Sequence, residues 1–374
     1  MSAQRKTKVL IVASHILGGK SFSTQLAEAA ARLEDIEVEL VVLSEMDYKV
    51  HRSAVSWRDR LSSPLESSAV ARAKAGKIHR ERADVLVLQS FDLLPGFREA
   101  VAEVPTIVFH DSTNIASYEL ERDTSRRRLR KFRYAIKKLL LDRFYRDAAK
   151  NVRCFLPRTA WCARSLKAHF SIPDERIIVS PAGLDLKHWT VAASHGTTGR
   201  PEVLFVGNDL ERKGVDILLQ CWKSSLCDRA DLVIVTNDPV AKRLGQIQGV
   251  KIVTDLRPGR ELRALFQRAA LFVFPTRKEH MGLVLTEAAA SGLPIIASDV
   301  GGVSEIVRDN RNGILLNLNA SAADWGKAIQ SLLDDPQRRL AMGRSSRELA
   351  ETHLSQEVLE GRLQRALSIA SGAR

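Results

Sequence analysis

Phe274-Pro-Thr-Arg-Lys-Glu279-His-Met-Gly282-Leu-Val-Leu-Thr-Glu287-Ala-Ala-Ala-Ser-Gly-Leu-Pro294 decides how the rest of this chain is read. Leu271 to Phe274 is a short apolar run closed by Pro275, the pattern of a buried parallel strand ending in a loop. Leu283 to Ala290 is rich in helix formers, and Gly292 with Pro294 supplies the stop. A second apolar run, Pro294 to Ala297, begins at once and leads to Gly301-Gly302-Val-Ser-Glu305. The unit is strand, polar loop, short helix, strand.

In an open parallel sheet, ligands sit at the carboxyl ends of the strands, where helix N-termini point. Glu279 lies in such a loop and Glu287 about one turn inside the following helix. Gly282 leaves the first backbone N–H groups of that helix open to an anion. Carboxylates accept hydrogen bonds and never donate them when ionised, so each suits a pair of hydroxyls. An anion site flanked by two diol clamps fits a nucleotide sugar. The plain structural alternative is a solvated loop glutamate and a glutamate in a helix.

The segment resembles the donor-site signature of glycosyltransferase family 4, retaining enzymes of the GT-B fold (glycosyl transferases group 1) with a Glu-x7-Glu motif. The resemblance implies that Glu279 contacts the donor sugar and Glu287 the ribose hydroxyls. Gly282 and Leu283 would lend backbone amides to the sugar phosphate. Pro275-Thr276, Glu287-Ala-Ala-Ala-Ser-Gly-Leu-Pro294 and Gly301-Gly-Val-Ser-Glu305 carry its specificity. It extends strongly from Val203 to Val307 and only loosely before Arg153.

Around this stretch, 374 residues suit two domains better than a single core. The expected fold is α/β: two Rossmann-like doubly wound parallel-sheet domains facing across a cleft. The expected boundaries are 1–190 for an acceptor-side domain, 191–200 for a linker and 201–354 for a donor-side domain. A final helix over 355–374 is expected to return to the first domain. Thr190 to Arg200, small and polar with Gly196 and Gly199, has a linker composition.

No apolar run is long enough to cross a bilayer, and Val9 to Ala13 is too short for a signal-peptide core. Cys154, Cys162, Cys221 and Cys227 lack Cys-x-x-Cys pairing, which points away from zinc and from a disulfide framework. A reducing, cytoplasmic location follows as an expectation. The formal net charge of +13 favours an anionic partner without selecting one.

Taken in order, Lys8 to Ser14 is a strand and Gly18-Gly19 opens a helix to about Leu33. That is the phosphate-binding half of a Rossmann-like unit, so Gly18 and Gly19 are donor-site candidates, although the resemblance turns this loop toward the acceptor. Gly18-Gly19-Lys20-Ser21 also nearly matches a P-loop, with Ser14 where the first glycine belongs. A P-loop-type ATP-dependent enzyme would use Asp111 for magnesium. Met46 to Ser63 reads as a polar loop, Ser67 to Arg82 as a helix, and Leu93 to Ala102 as a helix between two strands. His110 closes the strand Thr106–His110 and matches a family histidine that reaches the donor sugar.

Ser125 to Lys150 holds Arg126, Arg127, Arg128, Arg130, Lys131, Arg133, Lys137, Lys138, Arg143 and Arg146 around a regular apolar stripe. It reads as a cationic amphipathic helix, suited to packing on the first sheet or to the anionic inner face of a membrane. With no aromatic residues spaced for base stacking, nucleic acid is not expected. Farther on, Gly183-Leu-Asp185 resembles the turn ending the first domain in the family, with Ala182 where Asn is usual.

The second half opens with strand Val203–Val206 and the turn Gly207-Asn208-Asp-Leu-Glu-Arg212-Lys213-Gly214. Arg212 and Lys213 crowd a helix start, an unfavourable place for cations unless an anion balances them. The resemblance assigns them the donor diphosphate, and Asn208 stands where many members carry arginine. It also makes Asn237 and Leu256-Arg257 candidates for contacting the base. No Asp-x-Asp occurs, so neither a metal nor another cofactor is expected.

The expected activity is retaining transfer of a hexose from a nucleotide-diphosphate sugar, UDP rather than GDP. The acceptor would be a lipid-linked or envelope saccharide. Catalytic candidates are His110, Arg212, Lys213 and Glu279. Donor-binding candidates are Gly18, Gly19, Gly207, Asn208, Asn237, Gly282, Leu283 and Glu287. The opposing reading is a non-catalytic glycan-binding relative.

Overall fold

The computed structural model describes residues 5–14, 19–44, 47, 63–79, 81–124, 145–191, 199–243, 247–256 and 259–372. The chain forms two compact units, Met1–Gly183 with Gln356–Arg374, and Leu184–Ser355.

The first unit is built on β1 (Thr7–Ser14), β2 (Ile36–Leu43), β3 (Val85–Gln89), β4 (Thr106–His110) and β5 (Cys154–Pro157), in the order β2-β1-β3-β4-β5. All its pairings are parallel. Among its helices are α1 (Gly19–Ala31), α2 (Ser63–Ala75), α3 (Arg98–Glu103), α4 (Asn114–Thr124) and α5 (Ala160–Phe170). β3, β4 and β5 are buried along their whole length and are nearly apolar throughout, as strands covered on both faces must be, whereas the edge strand β2 alternates, with Glu37 and Glu39 exposed. Leu10, Val12, Leu86, Leu88, Val108 and Phe155 enter one core. Val9, Ile11, Val85, Val87, Ile107 and Phe109 enter the other, as the period of two along a strand requires.

The helix expected over Ser67–Arg82 runs instead from Ser63 to Ala75, where Gly76 turns the chain at φ +68°. The helix expected over Leu93–Ala102 is a 3₁₀ segment, Phe91–Phe97, followed by α3. Pro95 lies inside the 3₁₀ segment and has no N–H for a longer α-helical ladder.

The second unit contains β6 (Glu202–Val206), β7 (Asp231–Val235), β8 (Val250–Val253), β9 (Leu271–Phe274), β10 (Ile295–Ser298) and β11 (Gly313–Leu316). They form a parallel sheet ordered β11-β10-β9-β6-β7-β8. Its helices are α6 (Val215–Cys221), α7 (Arg260–Arg268), α8 (Leu283–Ala290), α9 (Val303–Ile306), α10 (Ala322–Leu333) and α11 (Pro336–Leu349). From β6 the chain moves outward to β7 and β8, then resumes on the other side of β6 at β9. The order therefore reverses between β6 and β9, the place where such sheets open a crevice at their carboxyl ends.

The stretch just after Gly183 packs with the second unit. The Trp189 ring meets Phe266 edge-on at 5.6 Å, and Arg347 donates to the Trp189 carbonyl at 2.5 Å. The last helix, α12 (Gln356–Ser371), belongs to the first unit, where Leu359, Leu363, Ala366, Leu367 and Ala370 join the second of its two cores. That spacing presents one helical face. No helix among the described residues is long and apolar enough to cross a membrane.

Candidate active site

The reversal between β6 and β9 makes neighbours of two loops far apart in sequence, and each braces the other. The Arg277 backbone N–H donates to the Arg212 carbonyl at 2.8 Å. The Arg277 guanidinium grips both oxygens of Asp216 at 2.8 and 2.6 Å, and this pairing raises its pKa further. Gly214 has φ +75°, and a β-carbon there would overlap the Pro275 carbonyl oxygen. Only glycine allows the loops this close.

Their contact brings together Lys213, Glu279 and Arg212. The Lys213 ammonium hydrogen-bonds the Glu279 carboxylate and lies 4.4 Å from the centroid of the Phe274 ring. The Arg212 guanidinium approaches the same carboxylate oxygen at 3.9 Å. Arg212 is held by Asp209 at 2.8 Å and donates to the Lys278 carbonyl, also at 2.8 Å. Only 11% of the Lys213 side chain and 15% of that of Glu279 meet solvent. Burial lowers the Lys213 pKa, and the facing carboxylate opposes that shift.

The Glu279 loop is pressed from beyond β10 as well. Gly301 has φ +59°, a β-carbon there would overlap the Glu279 carbonyl oxygen, and the Gly302 N–H donates to the His280 carbonyl at 2.9 Å. Gly282 caps α8 at φ +83° with no side-chain cap. Leu283, partly buried, is the first residue of that helix. Glu287, on the same helix, is partly buried, and desolvation raises its pKa to about 7. It is poised between the neutral and ionised forms near neutrality.

Asn208 and Asn237 turn out to join loops. The Asn208 side-chain oxygen accepts from the Asn237 N–H at 2.7 Å, and the Asn237 side-chain oxygen accepts from the Asp255 N–H at 2.8 Å. Gly207 has ordinary space around it: a β-carbon would stand 3.5 Å from Phe205. Leu256 is described, whereas Arg257 is not.

In the first unit His110 ends β4 and is 3% exposed. Its Nδ1 lies 3.2 Å from the Ser112 carbonyl and 3.4 Å from Cys162 Sγ, with the Phe91 ring centroid 5.3 Å from its own. Burial lowers its pKa to about 4, so the ring is neutral at pH 7. Beside it at the end of β5, Arg158 is buried over the Phe109 ring, and desolvation lowers its pKa to about 9.

Gly18 lies outside the described residues; Gly19 begins α1, but the side chains of 20–22 are not described. Most of the cationic stretch, 125–144, also lies outside the described residues, as do most of 46–62 and all of 192–198. Residues 145–150 are helical, with Arg146 and Lys150 exposed.

Sequence reasoning did not find Phe274 beneath Lys213, the Arg277–Asp216 brace or the clamp from Gly301. Two of the three had a weak signal. Phe274 is the last residue before a loop, and Gly301-Gly302 follows a strand, but neither pattern names its partner.

Residues 200–335 match the family described as glycosyl transferases group 1. That match lies wholly within the second unit. The chain is 32% identical over 227 residues to a D-inositol 3-phosphate glycosyltransferase from Corynebacterium aurimucosum, covering 54% of this chain and 53% of that protein. It thus spans about half the length of that curated relative.

Sucrose-phosphate synthase from Thermosynechococcus elongatus superposes with a TM-score of 0.73 at 19% identity, covering 98% of this chain and 100% of that one. Anabaena HepE in complex with UDP-glucose gives 0.66 at 16% identity, covering 97% and 99%. These likenesses, which span nearly the whole chain, establish the GT-B fold.

Proposed function

We propose that this protein is a retaining glycosyltransferase that takes a hexosyl group from a UDP-sugar and passes it to a polyhydroxylated acceptor. One observation carries the reading: Lys213 and Arg212 converge on the Glu279 carboxylate at the switch point between β6 and β9. An ammonium buried as deeply as that of Lys213 needs an anion, and Glu279 supplies it in the free protein, with the partly exposed Arg212 beside them. A donor diphosphate offers the same cations more negative charge. When it takes over Lys213 and Arg212, Glu279 is released to accept hydrogen bonds from the donor sugar.

Glu287 serves the ribose hydroxyls from α8. His110, neutral and buried, presents a hydrogen-bonding ring to the sugar. The bond between the anomeric carbon and the diphosphate oxygen breaks, and negative charge builds on the leaving diphosphate. Arg212, Lys213 and the amides following Gly282 stabilise that charge, the largest contribution at sites of this kind. The acceptor oxygen attacks from the face the diphosphate leaves, and a diphosphate oxygen takes its proton. Glu279 is not a nucleophile here. Retaining glycosidases place two carboxylates across one bond, whereas Glu279 is assigned here to accept hydrogen bonds from the donor sugar hydroxyls. The two cations do the work a bridging metal would otherwise do.

UDP in the HepE complex supports the choice of nucleotide, and the D-inositol 3-phosphate relative supports a polyol acceptor. A lipid-linked or envelope saccharide is the larger acceptor of the same chemistry, and the cationic stretch around 125–150 would serve it at an anionic membrane surface. Nucleotide release should be measured with UDP-glucose, UDP-N-acetylglucosamine and GDP-mannose against small and lipid-linked acceptors. UDP release dependent on one acceptor, unaffected by EDTA, is expected. No nucleotide released from any pair would end the proposal. A strict magnesium requirement would return attention to Gly18-Gly19-Lys20-Ser21.

A further inference from the structure

Asn114 is 4% exposed, yet neither atom of its carboxamide has a hydrogen-bond partner among the described residues. It begins α4, just beyond the end of β4. The local backbone does not need it as a cap. Thr113 does that: its Oγ1 accepts from the Ala116 N–H at 3.1 Å and bonds the Ser165 hydroxyl at 2.6 Å. A buried amide that serves neither helix nor core loses its hydration and gains nothing inside the protein, so each such group calls for an explanation.

His110, closing the same strand, has the same property at one atom. Its Nδ1 faces the Ser112 carbonyl at 3.2 Å, and a carbonyl only accepts, so Nδ1 holds the ring proton. Nε2 is then a bare acceptor, buried and without a partner among the described residues. The strand end thus carries an unused acceptor on His110 and an unused donor and acceptor on Asn114. All are neutral. Hydroxyl groups, which both donate and accept, match this set; a carboxylate or phosphate would leave its acceptors unanswered.

We propose that Asn114 binds acceptor hydroxyls in the first unit and so selects a polyol. This rests on the transferase reading above. Asn114 is a specificity residue that touches the acceptor, and it has no part in holding the diphosphate.

The test replaces the amide by an apolar group of similar size, Asn114→Leu, in the full-length protein. Three readouts are needed: thermal stability, UDP-glucose affinity, and the KM for D-inositol 3-phosphate or free glucose in UDP release. Removing an unpaired buried amide should raise Tm by about 2 to 4 °C. The KM for the polyol should rise about ten-fold, as expected for losing hydrogen bonds to hydroxyls. UDP-glucose affinity should stay the same, and Asn114→Ser should recover part of the KM.

An unchanged polyol KM in Asn114→Leu would overturn this assignment alone. So would a fall in Tm, with donor and polyol constants worsening together, since the amide would then hold internal water for structural reasons. Wild-type protein that fails to bind UDP-glucose would remove the transferase reading and this assignment with it.

Discussion

The loop ends at β6–β9 and the end of β4 occupy corresponding places on two parallel sheets, yet their chemistry is opposite. At β6–β9, Lys213 and Arg212 meet a carboxylate, and charge is kept inside by pairing it. At β4, burial removes charge instead: His110 titrates at about 4 and stands among Phe91, Phe155 and Cys162. A parallel sheet exposes loops at its carboxyl ends, and this is all the topology provides. Side chains decide whether the place suits a diphosphate or neutral hydroxyls. Under the proposed function, the ionic end suits a donor diphosphate and the neutral end suits hydroxyl groups.

The contrast is broken most sharply by Lys213→Ala. Removing a cation from the developing diphosphate charge should lower kcat by about 10²–10³-fold, with the fold retained. Steady-state rates and circular dichroism would show this, and near wild-type turnover would mean that the paired charges are only structural.

Next in size is Gly301→Ala, in which a β-carbon collides with the Glu279 carbonyl oxygen at a positive φ. A loss of about 2–4 kcal/mol is expected in urea unfolding, with weaker donor binding. An unperturbed midpoint would show that the Glu279 loop can relax freely.

Glu287 offers a finer test, because burial raises its pKa to about 7. The ionised form accepts hydroxyl hydrogen bonds best, so UDP-sugar affinity should rise several-fold between pH 6 and 8 and level off above. Glu287→Gln should flatten that rise. Stability should move the other way. A carboxyl whose folded pKa lies above its unfolded value favours folding at low pH, and that contribution is lost as pH climbs through about 7.

The smallest effect belongs to His110, with the opposite sign. Its folded pKa of about 4 lies below the ordinary 6.5, so its contribution is complete above pH 6.5 and disappears as pH falls through 4. NMR titration of the ring should show no protonation between pH 6 and 8. A midpoint near 6.5 would mean that the strand end is wetter than the fold implies.

Much of this was legible beforehand. The runs Leu271–Phe274 and Pro294–Ala297 named their strands because parallel sheets buried on both faces need uninterrupted apolar segments. Glu279, Gly282 and Glu287 were singled out from their strand–loop–helix setting and the family resemblance, and Arg212 with Lys213 from their awkward position before a helix; the structure brings Arg212, Lys213 and Glu279 together. What the sequence did not show was local. The Asn208 side-chain oxygen takes the Asn237 N–H, because loop polar groups bind whatever backbone lies nearest. Asn114 drew no notice, since an asparagine after a strand is ordinary unless its burial is known.

The sequence by itself determined which segments are strands and helices, the likeness to a family, and the residue types available for an anion and for hydroxyls. These depend on local periodicity and on spacing within single loops. Tertiary structure alone decided that Lys213 would share a carboxylate with Glu279 above Phe274, since the partners come from loops on either side of a sheet reversal. It also decided which polar groups lie buried, and with them the lowered pKa of His110 and the raised pKa of Glu287. Burial depends on everything packed around a group, and no window of sequence contains that.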